Sequence, residues 1–223
     1  SLVFQLGLQL SISQSQQNWT DVFVEDRASL SSQGRNPYFI LEPGYRLQLS
    51  GKEGKKAIEL VITVLNETKI VDGIETRVVE ERESVNGELI EVSRNFFAIS
   101  KRTADVYYFG EDVDMYKGGK IASHEGAWQS GKNGARYGLF IPASPLLGSR
   151  YYQEVAPDVA MDRAEIISLN EVVETQAGRF TNCLKTEETT LLEPKAKEYK
   201  CYAKGIGLIQ DADLFLASYG FVK

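Results

Sequence analysis

DGIETRVVEERESVNGELIEVSRNFFAIS, residues 72–100, contains two tight turns and the strands they join. Asp72-Gly73 and Asn86-Gly87 are the dipeptides that type I′ hairpins demand, because both central positions need positive φ. Between them, Glu75–Ser84 is rich in β-branched and charged residues and poor in helix punctuation. After Asn86-Gly87, apolar residues resume in a second run that ends at Phe96, Phe97, Ala98 and Ile99. Two hairpins in succession make an antiparallel meander, and the rest of the chain repeats the pattern.

Working outward, β-type runs separated by turn residues fall at about 3–12, 38–50, 56–68, 70–84, 88–99, 104–112, 119–129, 150–155, 164–175, 178–190, 196–203 and 206–211. Gly118-Gly119 closes a hairpin between Val106–Phe109 and Lys120–Trp128, while Pro142 and Pro145 mark a bend. Asp158–Glu165 is the one stretch with helical character, Asp158 capping and Ala160 and Met161 forming. The expected class is all-β and mainly antiparallel. A single large meander sheet curls into a half-barrel or barrel-like sandwich, with at most one or two short helices. One β domain over residues 1–223 is expected, with 13–36 irregular because Gln, Ser and Asn dominate there. Phe4, Leu6, Leu8, Leu10 and Ile12 alternate with polar or small residues, which is strand periodicity; the same run also fits the end of a signal peptide, with Ser11 and Ser13 before a cleavage point. The strand reading is preferred.

A formal charge of −6 and the absence of a dense basic run argue against a nucleic-acid partner, which needs clustered Lys and Arg against phosphate. No stretch approaches the roughly 20 apolar residues of a membrane-spanning helix. No cofactor motif is present, and none is expected. The triplets Asn18-Trp19-Thr20 and Asn66-Glu67-Thr68 match the glycosylation pattern, which matters only in a eukaryotic secretory host. Cys183 and Cys201 lie on runs that fold back near Leu192, so a hairpin of constant index sum sets them opposite each other. A cross-strand disulfide then becomes possible, with two buried thiols as the alternative.

Four groups of residues are candidates for chemistry. Glu111, Asp112 and Asp114 gather carboxylates near a supposed turn, a weak Ca²⁺ pattern that lacks the EF-hand offsets. A hairpin centred near Gly118 sets Glu111 opposite Glu125, with Glu154 on a neighbouring strand. Paired carboxyls are what glycosidic hydrolysis requires, one as acid and one as base. His124 is the only histidine, which excludes multi-histidine metal sites, and a structural role is expected for it. The aromatic doublets Phe96-Phe97, Tyr107-Tyr108 and Tyr151-Tyr152, with Phe109 and Trp128, carry the fourth idea. Adjacent strand residues point to opposite faces, so each doublet sets one ring on each side of the sheet. A curved sheet can use both, one face in a core and one lining a cavity; loops or helices covering the second face are the plain alternative.

The segments Tyr108–Asp112, Glu125–Trp128, Gly134-Ala135, Ile141–Pro145, Tyr152–Glu154, Cys183–Thr186, Leu192–Pro194 and Tyr202–Gly207 recur in this order in a group of exported bacterial proteins without an assigned activity, which the chain resembles over about residues 36–211. Residues 202–209, YAKGIGLI, are also similar, over a shorter span, to lipoprotein-carrier-type envelope proteins with curved antiparallel sheets. The resemblance implies an extracytoplasmic location. The expected function is non-catalytic binding of a hydrophobic or amphiphilic small molecule by Phe96, Phe97, Tyr107, Tyr108, Phe109, Trp128, Tyr151 and Tyr152. A carbohydrate hydrolase using Glu111 and Glu125 is the alternative, and an interaction module without a small-molecule site is a third reading.

Overall fold

The computed structural model describes residues 18–222. The run expected as a strand at 3–12 lies outside them. In chain order the strands are β1 (Leu30–Ser31), β2 (Gly34–Asn36), β3 (Phe39–Leu41), β4 (Tyr45–Glu53), β5 (Lys56–Val71), β6 (Ile74–Val85), β7 (Glu88–Ser100), β8 (Val106–Lys117) and β9 (Lys120–Ser123). They continue with β10 (Trp128–Gln129), β11 (Arg136–Ile141), β12 (Arg150–Tyr152), β13 (Glu154–Val155), β14 (Asp162–Thr175), β15 (Gly178–Thr190), β16 (Glu198–Ala203), β17 (Gly207–Asp211) and β18 (Leu214–Phe221).

Thirteen of them follow one hydrogen-bonded path, β12-β14-β15-β16-β17-β18-β4-β5-β6-β7-β8-β11-β13. Its two ends are neighbours in the chain, since only Gln153 separates β12 from β13. The sheet is therefore nearly closed into a barrel. The pairings between its strands are antiparallel, and Asp72-Gly73 and Asn86-Gly87 both take positive φ at the hairpin tips, as their sequence demands.

The Asp158–Glu165 segment is not helical. Asp158 adopts φ +61 in a turn closed by the Ala156–Ala160 bridge, and β14 begins at Asp162. An isolated helix of eight residues could not offset the loss of β14's pairing with both β12 and β15. The one helical piece among the described residues is a 3₁₀ turn at Arg27–Ser29, capped by the Asp26 carboxylate accepting from Ala28 N–H at 3.0 Å. β18 had no counterpart in the sequence reading, yet it joins β17 to β4 and so completes the wall.

Two apolar cores flank the wall. Inside lie Leu47, Val64, Val79, Phe97, Tyr108, Leu216 and their neighbours. Outside, Val71, Val78, Phe96, Ala98, Tyr107 and Phe109 form a second cluster, covered by Phe23 and Leu30 of the N-terminal segment. Glu25 ties that segment down: Arg102 donates to its carboxylate at 3.1 Å, as does Ser29 Oγ at 2.7 Å. Burial alone would raise this carboxyl, but the bonds from Ser29 and Arg102 outweigh it and hold it below the usual range.

One barrel end is stoppered. The β2–β3 hairpin lays Tyr38, Ile40 and Leu41 into the inner core. It is pinned there by Asn36 Nδ2 donating to Ala104 O at 2.8 Å and by Gly205 N–H donating to Pro37 O at 2.7 Å. The hairpin tips at Gly54, Asn86-Gly87 and Gly118-Gly119 stand at the other end.

Candidate functional site

Between the stopper and the hairpin tips the barrel encloses a cavity of about 230 Å³. Its wall changes character along the axis. Towards the stopper stand Phe39, Tyr45, Leu47, Val64, Phe97 and Phe140; towards the tips stand Glu81, Glu111, Glu154, Asp162, Glu188 and Asp211, with Lys200 among them. The apolar part is an aromatic nest. Phe97 stacks on Tyr108 with centroids 4.9 Å apart, and Phe140 meets Phe97 edge-on at 4.8 Å and Phe39 at 5.4 Å.

A backbone irregularity brings Tyr108 and Glu111 to the same face. On a regular strand, residues three apart point in opposite directions. Here Phe97 pairs with Tyr108 while Asn95 pairs with Glu111, so β8 carries an extra residue against β7. That bulge sits at Gly110, whose φ is +140 and whose missing Cβ lets the Trp128 backbone pass close by. Tyr108 then donates its hydroxyl to Asn95 Oδ1 at 2.6 Å, and Asn95 Nδ2 donates to Ser93 Oγ at 3.2 Å.

The electrostatics are lopsided: six carboxyl side chains line the cavity against a single base. Lys200 Nζ reaches Glu188 at 3.2 Å and Asp211 at 3.7 Å. Burial would lower this amine, yet Asp211 and Glu188 outweigh it and hold it well above the usual lysine value. Gln153 Nε2 and Thr186 Oγ1 also donate to Glu188, each at 3.3 Å. The other acids have no such relief. Burial pushes Glu81 up to about 7, with Lys200 countering at longer range. Burial and the Glu81 carboxyl push Glu111 up to about 8. Glu154 is 3% exposed and held well above the carboxylate range by burial, then by Asp162. Glu81 and Glu111 keep some free surface, and both line the cavity.

No family model matches the chain, and no curated protein matches it. A solved structure described as "a putative lipoprotein from Parabacteroides distasonis ATCC 8503" aligns with 84% of this chain and 100% of its own, at 12% identity and a TM-score of 0.41.

The residues singled out from sequence divide sharply. Phe97, Tyr108, Glu111 and Glu154 line the cavity. Phe96, Tyr107 and Phe109 lie on the outer face in the second core. Trp128 packs edge-on against Tyr108 at 5.3 Å, and Tyr151 is buried in the inner core; the indole N–H and the Tyr151 hydroxyl have no partner among the described residues. Tyr152 meets Trp19 at 6.3 Å.

Glu125 does not face Glu111. Trp128 occupies that register, because the chain makes an exposed excursion between β9 and β10, and Glu125 rides on it. The carboxylate pair expected across that hairpin is thereby dissolved. Nor do Glu111, Asp112 and Asp114 make a cation site. They lie on a strand rather than a turn, Asp112 pairs with Lys69 at 2.5 Å, and Asp114 pairs with Arg94 at 3.0 Å. Among the described residues no three acidic, His or Cys side chains converge as metal ligands. His124 is exposed, its Nδ1 lying 3.0 Å from Asp114 Oδ1 and 2.8 Å from Val113 O.

The cysteines are both free and buried. Lys185 pairs with Cys201 and Leu184 with Tyr202, so Cys183 continues the register opposite Ala203. The two thiols are diagonal neighbours, whose Cα atoms sit about 7–8 Å apart, beyond disulfide reach without backbone movement. The pairing of β15 with β16 is two residues off the one assumed from sequence. Missed altogether were Glu81, Glu188, Lys200 and Asp211. Their one sequence signal was a charged residue at an inward position of an alternating strand.

Proposed function

We propose that this protein is a non-catalytic binding protein that encloses a small amphiphilic molecule inside its barrel, and that it works outside the cytoplasm. The observation that carries the reading is the amphipathic cavity itself, ringed by Phe39, Phe97, Phe140 and Tyr108 at one end and by carboxyl groups at the other. Ligand sites are typically concave and mostly apolar, with a few converging polar groups that fix orientation. An interior packed solid would serve stability alone; this one forgoes contacts and gathers acids that cost free energy to bury. The location rests on the resemblance of the segments between residues 36 and 211 to exported bacterial proteins.

The test is direct. Protein purified under native conditions is denatured and extracted, and the extract is analysed by mass spectrometry. In parallel the neutral dye N-phenyl-1-naphthylamine is titrated into stripped protein. Binding near one dye per chain, lost in the cavity-filling variant Ile62→Phe, supports the reading. No co-extracted molecule and no dye uptake would overturn it.

One observation favours a second reading. Glu111, raised to about 8, is a carboxylic acid held protonated at neutral pH, as an acid catalyst needs, and Glu154 shares its cavity. Hydrolysis of aryl glycosides by the wild type, abolished in Glu111→Gln, would replace the binding reading with a hydrolase whose acid is Glu111.

A further inference from the structure

We infer that the guest of the barrel carries a positively charged nitrogen, an ammonium group on a small apolar or aromatic body, seated among Glu81, Glu111 and Glu154. This rests on the binding reading above and names the class of molecule bound.

The first argument is charge. Among the described residues Lys200 is the only base on the cavity wall, and it is already engaged by Glu188 and Asp211. Glu81, Glu111 and Glu154 form no ion pair with any described residue. A buried carboxyl without a counter-charge is costly, and the empty barrel meets that cost by keeping such groups neutral. An ammonium neighbour reverses the balance, since an opposite charge a few ångströms away favours the ionised form.

The second argument is an unmet acceptor. Glu154 is 3% exposed, and its one hydrogen bond among the described residues is from Asp162 N–H to Oε1 at 2.9 Å. Its Oε2 has no partner there, although the residue lines the cavity. A carboxyl oxygen left without a donor can still accept a hydrogen bond from a guest. An ammonium group brings three N–H donors and no acceptor, which complements a wall made of acceptors.

The third argument is the aromatic nest. Phe97, Tyr108 and Phe140 lie mutually within 4.8–6.1 Å and form the adjoining wall. Ring faces attract cations as well as apolar groups, and such rings recur around quaternary and protonated amines. The acidity also continues outward from the cavity. Glu83 stands directly across from Glu91 on β6 and β7; burial raises both carboxyls, and for Glu83 the nearby Glu91 and Asp211 add to it. A wall of one sign concentrates counter-ions in a cleft and speeds their entry. A bare divalent ion fits less well. It needs six to eight oxygens, the described residues offer no such convergence, and the aromatic half would be left unused.

Three probes of the same shape separate the possibilities: phenethylamine, positively charged at neutral pH; 2-phenylethanol, neutral; and phenylacetate, negative. Each is titrated calorimetrically into stripped wild-type protein at pH 7.5, and into Glu81→Gln and Glu154→Gln. The inference requires phenethylamine to bind at least tenfold more tightly than 2-phenylethanol, and phenylacetate to bind more weakly than either. Each glutamine variant should shrink the amine-to-alcohol ratio at least threefold. If the alcohol binds as well as the amine, or the acid best, the ammonium inference falls and the binding reading stands. If none of the three binds, both fall. Should a variant fail to fold by circular dichroism, the wild-type ranking decides alone, because the probes differ in head group and not in body.

Discussion

Replacing Glu111 with Gln should make the empty barrel more stable in alkali and leave it unchanged in mild acid. Glutamine copies the protonated carboxyl in shape and cannot ionise. In the unfolded chain this carboxyl titrates near 4.5, and in the barrel near 8. Below about pH 4.5 both states hold the proton, and the group makes no difference. As pH rises toward 8 the unfolded chain has released its proton while the native state still holds it, so stability drains away; above 8 the whole penalty is present. A displacement of about 3.5 units at 1.36 kcal/mol each sets a ceiling near 5 kcal/mol. Water in the cavity screens the charge, and about 2 kcal/mol is the expected effect at an effective dielectric near 20. For a chain of this size that corresponds to a difference of about 4–8 °C in Tm. Thermal melts of wild type and Glu111→Gln at pH 5, 7 and 9 make the comparison. The wild type should weaken steadily from pH 5 to 9, and the variant should weaken less. A wild type that gains stability toward pH 9, or a variant that tracks it at every pH, would refute the placing of Glu111 in an enclosed low-dielectric space.

Three further outcomes follow from other parts of the wall. Lys200→Met strips Glu188 and Asp211 of their shared cation and should cost about 2–4 kcal/mol in urea unfolding at pH 7, with part of the loss recovered in acid as Glu188, whose carboxyl burial already raises, takes up its proton. Gly138→Ala places a methyl group against the Gln153 and Tyr152 carbonyls at the closing seam; hydrogen exchange should accelerate first in β11 and β13, and Tm should fall by at least 5 °C, whereas a silent substitution would mean that the seam is loose. Cys183 and Cys201 should resist thiol reagents in the native state and both react in denaturant. Burial lifts the Cys201 thiol to about 11, and reductant should leave Tm unchanged.

Local chemistry explains what could be read in advance. Asp72-Gly73 and Asn86-Gly87 fix their hairpins through backbone preference alone, so the order of β5 to β7 follows from the sequence, although β5 runs on to Val71 and β6 starts only at Ile74, where spans of 56–68 and 70–84 were expected. The aromatic doublets likewise announce a two-sided sheet, because neighbours on a strand must diverge. The site was harder, and Gly110 shows why. A glycine in mid-strand signals a bulge, but whether the extra residue turns Glu111 inward depends on the pairing of β7, which is a long-range fact. Glu125 failed for the same reason: the register of β9 and β10 is broken by an excursion that turn chemistry does not specify. Lys200, Glu188 and Asp211 come from strands adjacent to one another but remote in sequence from Glu81 and Glu111, so only closure of the barrel unites them.

The partner of β4 is β18, with Gln48 facing Ser218. One side of the fourth strand therefore waits for residues some 170 positions downstream, a separation set by Gln48 and Ser218. Chains dominated by such remote pairings fold slowly, in milliseconds to seconds or longer, because loop entropy is lost before contacts return it. While a ribosome is still supplying β15 to β18, the hairpins from β4 to β8 can form but the ring cannot. The wall therefore stays incomplete until β18 joins β4.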